Sequence, residues 1–423
     1  MVLPVKEGLF LINVGQSPYS SSAFLQPPLV LLPFMVADKI GNQEVFQNVE
    51  ELDVNSWLNR LIFITLDLSI AYLIFGISKN AVKFNLLQPF YAGKTQPREY
   101  TTANSKFDLP TLITSIYLLN PIMIGSCVSM STVIFNNFAI AGSIYFATQF
   151  NIIASTLFLA MGTHLTLYPA SLIIGIILII KSIRIRKGES VGLFSLSFKT
   201  IVSFIFWNAC LMYASVSFLD QLGGKNLGRV VPTTFYSIFS SVLGSNRTDL
   251  LYDILMQCYY YPFSLSDLTP NWGSLWYFFT EVFNDFRTFF LLIFHLHVFT
   301  YLVPLTIRFK NDGLFWCVIQ TAIISVFKAY PCLGDFYFYM TLLLLFIQIA
   351  EHMRYGFFIV AVLVSSMFLG PVCFNTWIYK GTGNANFFYF ITLVFLVGNI
   401  LLIVEFVYAR LRSDHEWKQK YVK

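Results

Sequence analysis

The sequence is poor in charged residues. Asp, Glu, Lys and Arg make up 12% of its 423 residues, whereas soluble domains carry about 25%. Hydrophobic residues make up 56%, which is more than a water-soluble fold can hide from solvent. The shortage of charge therefore excludes an ordinary soluble domain, and it indicates that lipid surrounds much of the chain.

Signatures of catalysis are also missing. The sequence contains neither the His-Glu-x-x-His motif of zinc proteases nor a phosphate-binding P-loop. Sugar transfer from a polyprenyl phosphate usually needs an acid as base or metal ligand, yet the N-terminal region has no Asp-x-Asp pair, and its candidates Glu50, Glu51 and Asp53 form an ordinary acidic run. The sequence predicts no catalytic residue, no metal site and no cofactor. The small net charge of +5 predicts no nucleic-acid partner.

Cysteines are few, and none forms a Cys-x-x-Cys pair among the 6 present. Three of them lie in apolar stretches, where a free cysteine behaves as a small hydrophobic residue. The other three, Cys258, Cys332 and Cys373, lie in or near predicted luminal turns. A disulfide among these three and three free thiols are both compatible with the sequence.

Long apolar runs dominate what is present. Runs of roughly 20 residues recur from Trp57 to Tyr408, and they are solidly apolar rather than alternating, which predicts membrane-spanning helices and not a β-barrel. The sequence thus predicts an all-α, polytopic transmembrane helical bundle with about 10 or 11 membrane spans, some of them short half-helices.

Basic clusters orient these spans, because Lys and Arg beside a span mark the cytosolic side. They lie at 79–106, 181–199, 308–310 and 410–423. We therefore expect a single integral membrane domain over 1–423. Its predicted parts are a luminal or re-entrant segment 1–56, a first helix group 57–219, a luminal loop 220–271, a second helix group 272–409 and a cytosolic tail 410–423. The predicted luminal loop contains an N-glycosylation sequon at Asn246.

The apolar stretch 110–181 contains three candidate helix breaks. They lie at Asn120-Pro121, Asn136-Asn137 and Tyr168-Pro169. Proline frees a backbone carbonyl and disfavours helix in the preceding residue. The sequence therefore predicts four crossings here, the last two being short half-helices at 152–166 and 169–181.

An aromatic segment follows the predicted luminal loop. Trp272, Trp276 and Tyr277 belong to a predicted amphipathic helix at the membrane interface, and Glu281 lies on its polar side. Such a helix is either a plain aromatic anchor or the wall of a lipid-headgroup site.

A short polar turn, Lys328–Asp335, joins two predicted spans. Pro331 and Gly334 favour a tight turn, and Lys328 and Asp335 could form an ion pair across it. Tyr330 lies in the same turn. The turn is either purely structural or a contact for a polar headgroup.

A third polar element precedes the last span. Asn384 and Asn386 have amides that donate and accept, which suits sugar hydroxyls, although an asparagine here would also cap a helix. Phe387 and Phe388 begin the span, where they could face acyl chains. A lone His164 in an apolar run is more typical of hydrogen-bonded structure than of a ligand site.

Several short motifs, in order over nearly the whole chain, resemble the PIG-U family. They are Ser17-Pro18-Tyr19, Pro27-Pro28-Leu29, Leu119-Asn120-Pro121, Leu167-Tyr168-Pro169, Asn271–Phe283, Lys328–Asp335 and Trp377–Tyr389. Members of that family carry an additional membrane helix before the position matching Met1. One such motif would be weak, but the ordered set is specific.

The resemblance implies a GT-C-like bundle related to the mannosyltransferases of the endoplasmic reticulum. It further implies a non-catalytic, multi-pass subunit of the GPI transamidase in the endoplasmic reticulum membrane, which binds and presents the GPI lipid. The expected partners are the PIG-K subunit, which carries the nucleophile, PIG-T, PIG-S, the GPI-anchor attachment protein and membrane lipids. An alternative is an active GT-C mannosyltransferase using a dolichyl-phosphate sugar, and a transporter is a third class.

Topology and resemblance together predict one GPI-lipid site on the luminal face. Its predicted residues are Trp272, Trp276, Tyr277, Glu281, Tyr330, Pro331, Gly334, Asp335, Asn384, Asn386, Phe387 and Phe388.

Overall fold

Helices form all the regular structure in the described chain. The computed structural model describes residues 3–21, 23–41, 57–87, 108–190, 192–222 and 232–421. No strand occurs in these ranges, and the all-α prediction is confirmed.

The described residues form nineteen α-helices. They are α1 (Leu3–Asn13), α2 (Leu32–Gly41), α3 (Trp57–Lys83), α4 (Leu109–Leu119), α5 (Pro121–Val128), α6 (Val133–Thr148), α7 (Ile152–Leu165), α8 (Ile173–Arg186), α9 (Leu193–Gln221), α10 (Thr233–Leu243), α11 (Ser245–Leu255), α12 (Tyr261–Ser264), α13 (Leu275–Glu281), α14 (Asn284–Thr300), α15 (Leu302–Arg308), α16 (Gly313–Phe327), α17 (Leu333–Leu343), α18 (Gly356–Ile378) and α19 (Ala385–Tyr421). Short 3-10 segments lie at Pro28–Leu31, Tyr168–Leu172 and Leu344–His352, and a π-helical turn lies at Met256–Tyr260.

Within the described ranges, seven helical stretches are long and apolar enough to cross a membrane, and the pair α4 and α5, bent by 53°, would make an eighth. The polytopic prediction is therefore confirmed. Fewer full-length spans are present than the 10 or so predicted, because α6, α7 and α16 are apolar helices of only 10–17 residues. The predicted assignment of segments to lumen and cytosol stays a prediction.

Helix α16 lies at the centre of the bundle, where almost all its side chains are buried. It crosses α8 very closely at Gly313, since a Cβ atom there would lie 2.2 Å from the backbone nitrogen of Ile179. Small residues permit such close helix approach in membrane proteins. The outer helices α9 and α14, by contrast, expose broad apolar faces, which suits contact with lipid.

Within 110–181, two of the three predicted breaks are confirmed. Asn120 caps α5 through its side-chain oxygen, which accepts from the amide of Ile122 at 2.9 Å, and Tyr168-Pro169 begins a 3-10 turn. The break predicted at Asn136-Asn137 is wrong, because both residues are buried inside α6. The Asn137 amide donates to the carbonyl oxygen of Gly334 at 3.4 Å, and such a partner on another helix makes a buried amide tolerable.

The described part of 220–271 is not an irregular loop but a set of short helices, α10 to α12, that pack against the bundle. The π-helical turn between α11 and α12 also holds the N-terminal segment. The hydroxyl of Tyr19 lies 3.3 Å from Cys258 Sγ, and the Gln257 amide donates to the carbonyl oxygen of Ser21 at 3.3 Å. These contacts fix the N-terminal segment on the rest of the molecule.

Residues beyond 409 continue α19 as far as Tyr421, so the predicted tail begins as an extension of the last helix. Arg410 within it is 1% exposed. Its guanidinium contacts Asp312 and donates to the carbonyl oxygen of Leu87 at 2.8 Å. This cluster joins the end of α19 to two distant loops.

Candidate functional site

Three elements that are far apart in the sequence meet at one end of the bundle. They are helix α13 with the residues before it, the turn Lys328–Asp335, and the start of α19. The hydroxyl of Tyr277 on α13 donates to the side-chain oxygen of Asn386 on α19. A Cβ atom at Gly273 would lie 2.7 Å from Pro331 Cγ, so the segment before α13 lies directly against the turn. The structure thus brings together the three elements that the sequence predicted to converge.

Stacked aromatic rings fill the space between these elements. The Trp276 ring lies 6.0 Å from the rings of Trp377, Phe388 and Tyr389, and Tyr277 stacks on Tyr389 at 4.3 Å. Trp276 is 4% exposed, and its indole N–H has no hydrogen-bond partner. The cluster holds α13 rigidly against α19 and leaves one buried donor unmatched.

The predicted pairing of Lys328 with Asp335 is confirmed. The Lys328 Nζ atom lies 2.7 Å from Asp335 Oδ2, and both side chains are buried. Asp335 also accepts from the backbone amide of Cys332 at 3.1 Å, which caps α17. The carbonyl oxygen of Gly334 accepts from the side-chain amide of Asn137. A buried pair with this many hydrogen bonds makes the turn a rigid feature.

The two asparagines before the last span have different roles. Asn384 caps α19, since its side-chain oxygen accepts from the amide of Phe387 at 3.3 Å. Asn386 is exposed and accepts from Tyr277. The interpretation of Asn386 as the cap is therefore wrong, because α19 begins at Ala385 and places Asn386 inside its first turn.

The two phenylalanines also differ. Phe387 is 60% exposed, as expected of a side chain that faces lipid. Phe388 is 4% exposed because it packs among Trp276, Phe374 and Trp377. The prediction that both face acyl chains is wrong for Phe388.

The predicted interface helix is divided into two. Helix α13 ends at Glu281, and α14 begins at Asn284. Glu281 is exposed at the end of α13. Trp272 precedes α13 and packs against α18, where a Cβ atom at Gly370 would lie 2.4 Å from the Trp272 ring.

Arg287 and Tyr330 bind backbone carbonyl oxygens of the segment before α13, and Arg287 also binds one in α13 itself. The Arg287 guanidinium donates to the carbonyl oxygens of Leu265 at 2.8 Å and Phe279 at 3.3 Å. The Tyr330 hydroxyl donates to the carbonyl oxygen of Asp267 at 3.1 Å. Burial raises the pKa of Tyr330 to about 12, so this phenol keeps its proton at neutral pH and remains a donor.

His164 is a structural residue, as predicted. Its Nε2 atom lies 2.8 Å from Ser215 Oγ, and its Nδ1 atom lies 3.1 Å from the hydroxyl of Tyr259. Both ring nitrogens are therefore matched, and they join α7 to α9 and to the π-helical turn.

Other candidate chemistry is not assembled in the described residues. No group of three His, Cys, Asp or Glu residues is placed to hold a metal there. All 6 cysteines are free thiols, which settles the disulfide question. Glu50, Glu51 and Asp53 lie outside the described residues.

A further sequence pattern, which was not predicted to matter above, lies between α8 and α9. Residues 188–192 have the letters Gly-x-Ser-x-Gly. That pattern forms a nucleophile elbow where a strand leads into a helix. Here it links α8 to α9, and the described chain has no strand beside it, so Ser190 does not occupy such an elbow.

The chain is similar to known proteins along its whole length. A family model described as GPI transamidase subunit PIG-U matches residues 2–395. A Chinese hamster (Cricetulus griseus) protein named GPI-anchor transamidase component PIGU is 32% identical over 97% of this chain and 85% of its own length. Its human counterpart is 30% identical over the same shares. A Schizosaccharomyces pombe protein named GPI transamidase component GAB1 homolog is 30% identical over 97% of this chain and 85% of its own length.

Proposed function

The chain belongs to the PIG-U family of GPI transamidase subunits, and from that premise we propose that it binds the GPI lipid at the site formed by α13, the Lys328–Asp335 turn and the start of α19. In this proposal the chain presents the lipid for attachment to precursor proteins and performs no chemical step itself. It works in the endoplasmic reticulum membrane beside PIG-K, which supplies the nucleophile, PIG-T, PIG-S and the GPI-anchor attachment protein.

One observation carries the proposal: a polar pair and an apolar stripe share one face of α19. At 3.6 residues per turn, Asn386 lies in line with Phe390, Val397 and Val404. These three apolar side chains are each more than half exposed, and Asn386 is exposed beside the Tyr277 hydroxyl. A lipid with its headgroup at Asn386 would therefore find an apolar surface for its tails directly along the same helix.

The polar end suits a headgroup made of inositol, sugar and phosphate. The Asn386 amide nitrogen is an exposed donor, and the Tyr277 oxygen retains acceptor capacity. The indole N–H of Trp276 is a buried donor without a partner, and an unmatched buried donor costs free energy. A small shift of Tyr277 that let a headgroup oxygen reach this indole would match it. Apart from this shift of Tyr277, the aromatic rings pack these groups in place, so most of the site is formed before the lipid arrives.

The test compares Asn386→Lys with Asn384→Ala in the assembled, purified complex, and it measures co-purifying GPI by mass spectrometry. Lys at 386 adds bulk and charge at the headgroup position, and we expect bound GPI to fall at least several-fold. Ala at 384 removes the helix cap, which costs about 1 kcal/mol of stability, but it should leave bound GPI per folded complex unchanged. If Asn386→Lys lowers the protein level while the surviving complex carries normal GPI, the site is wrong.

A further inference from the structure

A cavity lies across the Lys328–Asp335 turn from the proposed lipid site. It has a volume of about 270 Å³. Lys328 and Tyr330 line it, whereas Pro331 and Cys332 face Trp272 on the opposite side of the turn. The turn is therefore a wall shared by this cavity and the proposed lipid site.

Besides the Lys328–Asp335 turn, four separate parts of the chain line the cavity. They are the N-terminal segment at Gln26, the start of α6 at Asn136, the 3-10 turn at Tyr168, and the π-helical turn at Tyr259. Several of these parts are bonded together, because the Tyr19 hydroxyl lies 3.3 Å from Cys258 Sγ and the Gln26 amide donates to Thr132 Oγ1 at 2.8 Å. The cavity is thus a formed feature of the fold and not a gap between loosely packed helices.

Two of the residues that line this space carry side-chain amide oxygens that have no hydrogen-bond partner. They are Oε1 of Gln26 and Oδ1 of Asn136, both buried and without a hydrogen-bond partner. Asn136 is only 8% exposed. A buried acceptor that is left unmatched destabilises the fold. Both groups are acceptors, so whatever completes them must donate hydrogen bonds.

Charge narrows the ligand class. Among the described lining residues, Lys328 carries the single full charge, and it is already paired with Asp335 at 2.7 Å. Burying a further unpaired charge there would be costly. A group that binds in this cavity should therefore be neutral, which excludes a phosphate or an ammonium group.

Size and shape narrow it further. The volume corresponds to about nine water molecules at roughly 30 Å³ each, so the cavity exceeds the needs of a single bridging water. The rings of Phe135, Tyr168 and Phe263 form apolar walls, while amides from Gln26 and Asn136 form polar ones. Apolar faces with a few amides suit a ring that carries hydroxyls around its edge and C–H groups on its faces.

We propose that this cavity binds one neutral sugar ring of a lipid-linked glycan, and that the side-chain amides of Gln26 and Asn136 turn toward the ring so that Oε1 and Oδ1 accept hydrogen bonds from its hydroxyls. The proposal rests on the proposed function for the identity of the glycan, which is that of the GPI lipid. The lipid would contact one side of the Lys328–Asp335 turn with its inositol phosphate and reach the other side with a sugar. The cavity would then distinguish glycan-bearing lipids from plain phosphatidylinositol.

The experiment uses the purified complex carrying Asn136→Leu, which keeps similar volume and removes the unmatched amide. Two probes are titrated: GPI lipid with its glycan, and phosphatidylinositol without one. We expect about 5-fold weaker binding of the glycan-bearing probe and unchanged binding of phosphatidylinositol. The melting temperature should stay equal or rise, because a buried unmatched group is lost. Gln26→Met should act in the same direction.

Asn151→Ala is the matched control, because that asparagine only caps α7 by accepting from the Ala154 amide at 3.0 Å. It should lower the melting temperature slightly and leave both probes unaffected. Equal binding of glycan-bearing GPI by Asn136→Leu and the unmodified complex would overturn the proposal, as would a lower melting temperature with unchanged binding. Failure of the lipid site looks different, because Asn386→Lys would then leave both probes bound normally.

Discussion

Arg410, near the end of the last helix, donates two hydrogen bonds to Oδ2 of Asp312, from Nε at 2.9 Å and Nη2 at 2.5 Å. The guanidinium also lies 5.7 Å from the ring centres of Phe315 and Phe346. Because the side chain of Arg410 is 1% exposed and that of Asp312 is 11% exposed, neither charge has much access to water as a substitute partner.

Replacing Arg410 by Met should therefore destabilise the protein strongly. Loss of one partner of a buried pair costs roughly 3–5 kcal/mol, so we expect a much lower melting temperature in detergent. Arg412→Met is the control, because Arg412 pairs with Glu416 on an exposed helix surface and should matter little. Recovery of stability in the double variant Arg410→Met, Asp312→Leu would confirm the cause. Equal melting of Arg410→Met and Arg412→Met would contradict it.

Tyr277→Phe tests the hydroxyl bridge separately from the aromatic packing. The ring stack on Tyr389 at 4.3 Å is kept, while Asn386 loses its donor. We expect GPI binding to weaken about 2- to 10-fold, the worth of one hydrogen bond, with little change in melting temperature. Titration of GPI into the complex measures this. Tyr379→Phe, which removes an exposed hydroxyl nearby, should bind as the unmodified complex does, and a matching loss there would show a general surface effect.

Gly313→Ala should prevent normal packing of α16 on α8. The new methyl group would lie 2.2 Å from the Ile179 nitrogen and 2.3 Å from the Leu178 carbonyl carbon, which are backbone atoms that move only if the helices separate. We expect a loss of folded protein by size-exclusion chromatography. Gly125→Ala is the control, since nothing lies within 4 Å of its added methyl, and a helical Ala there should be neutral or slightly stabilising. Normal yield of Gly313→Ala would show that the helices are farther apart than described.

The sequon at Asn246 should be unoccupied. It lies in helix α11, where Thr248 is fully buried and donates to the Gly244 carbonyl oxygen at 2.8 Å, and the Asn246 amide donates to Asp220 at 2.9 Å. A sequon must adopt an extended, open conformation to be modified, and the helical conformation of α11 prevents this. Electrophoretic mobility should not change after endoglycosidase treatment and should equal that of Asn246→Gln. A shift on treatment would mean that modification precedes formation of α11.

The sequence predicted the features of the fold that depend on residues close together in the chain. The breaks at Pro121 and Pro169 and the ion pair of Lys328 with Asp335 depend on residues that are near each other in the chain. Asn136 and Asn137 resemble a break by the same local reasoning, but they lie inside a helix. Only the folded structure supplies their surroundings, namely the carbonyl of Gly334 for one and a cavity for the other.

The candidate site likewise has features that the sequence could predict and features that it could not. Its three elements were predictable because the topology of the spans places them at one end. Which of Asn384 and Asn386 caps the helix was not predictable, since it depends on the residue at which α19 begins. The cavity beside Tyr168 could not be predicted from the sequence, because its lining residues Gln26 and Tyr259 are far apart in the chain and no sequence motif links them.

The last helix runs without interruption from Ala385 to Tyr421, through 37 residues. Asn386 and Arg410 therefore stand about 36 Å apart along one rigid rod, a little more than the roughly 30 Å hydrocarbon thickness of a bilayer. If a lipid headgroup binds at Asn386, as proposed, the length of this helix fixes the distance between that headgroup and the Arg410 salt bridge. A bilayer of a different thickness would then have to tilt the helix or shift its headgroups relative to Asn386, so lipid binding at the proposed site should depend on membrane composition.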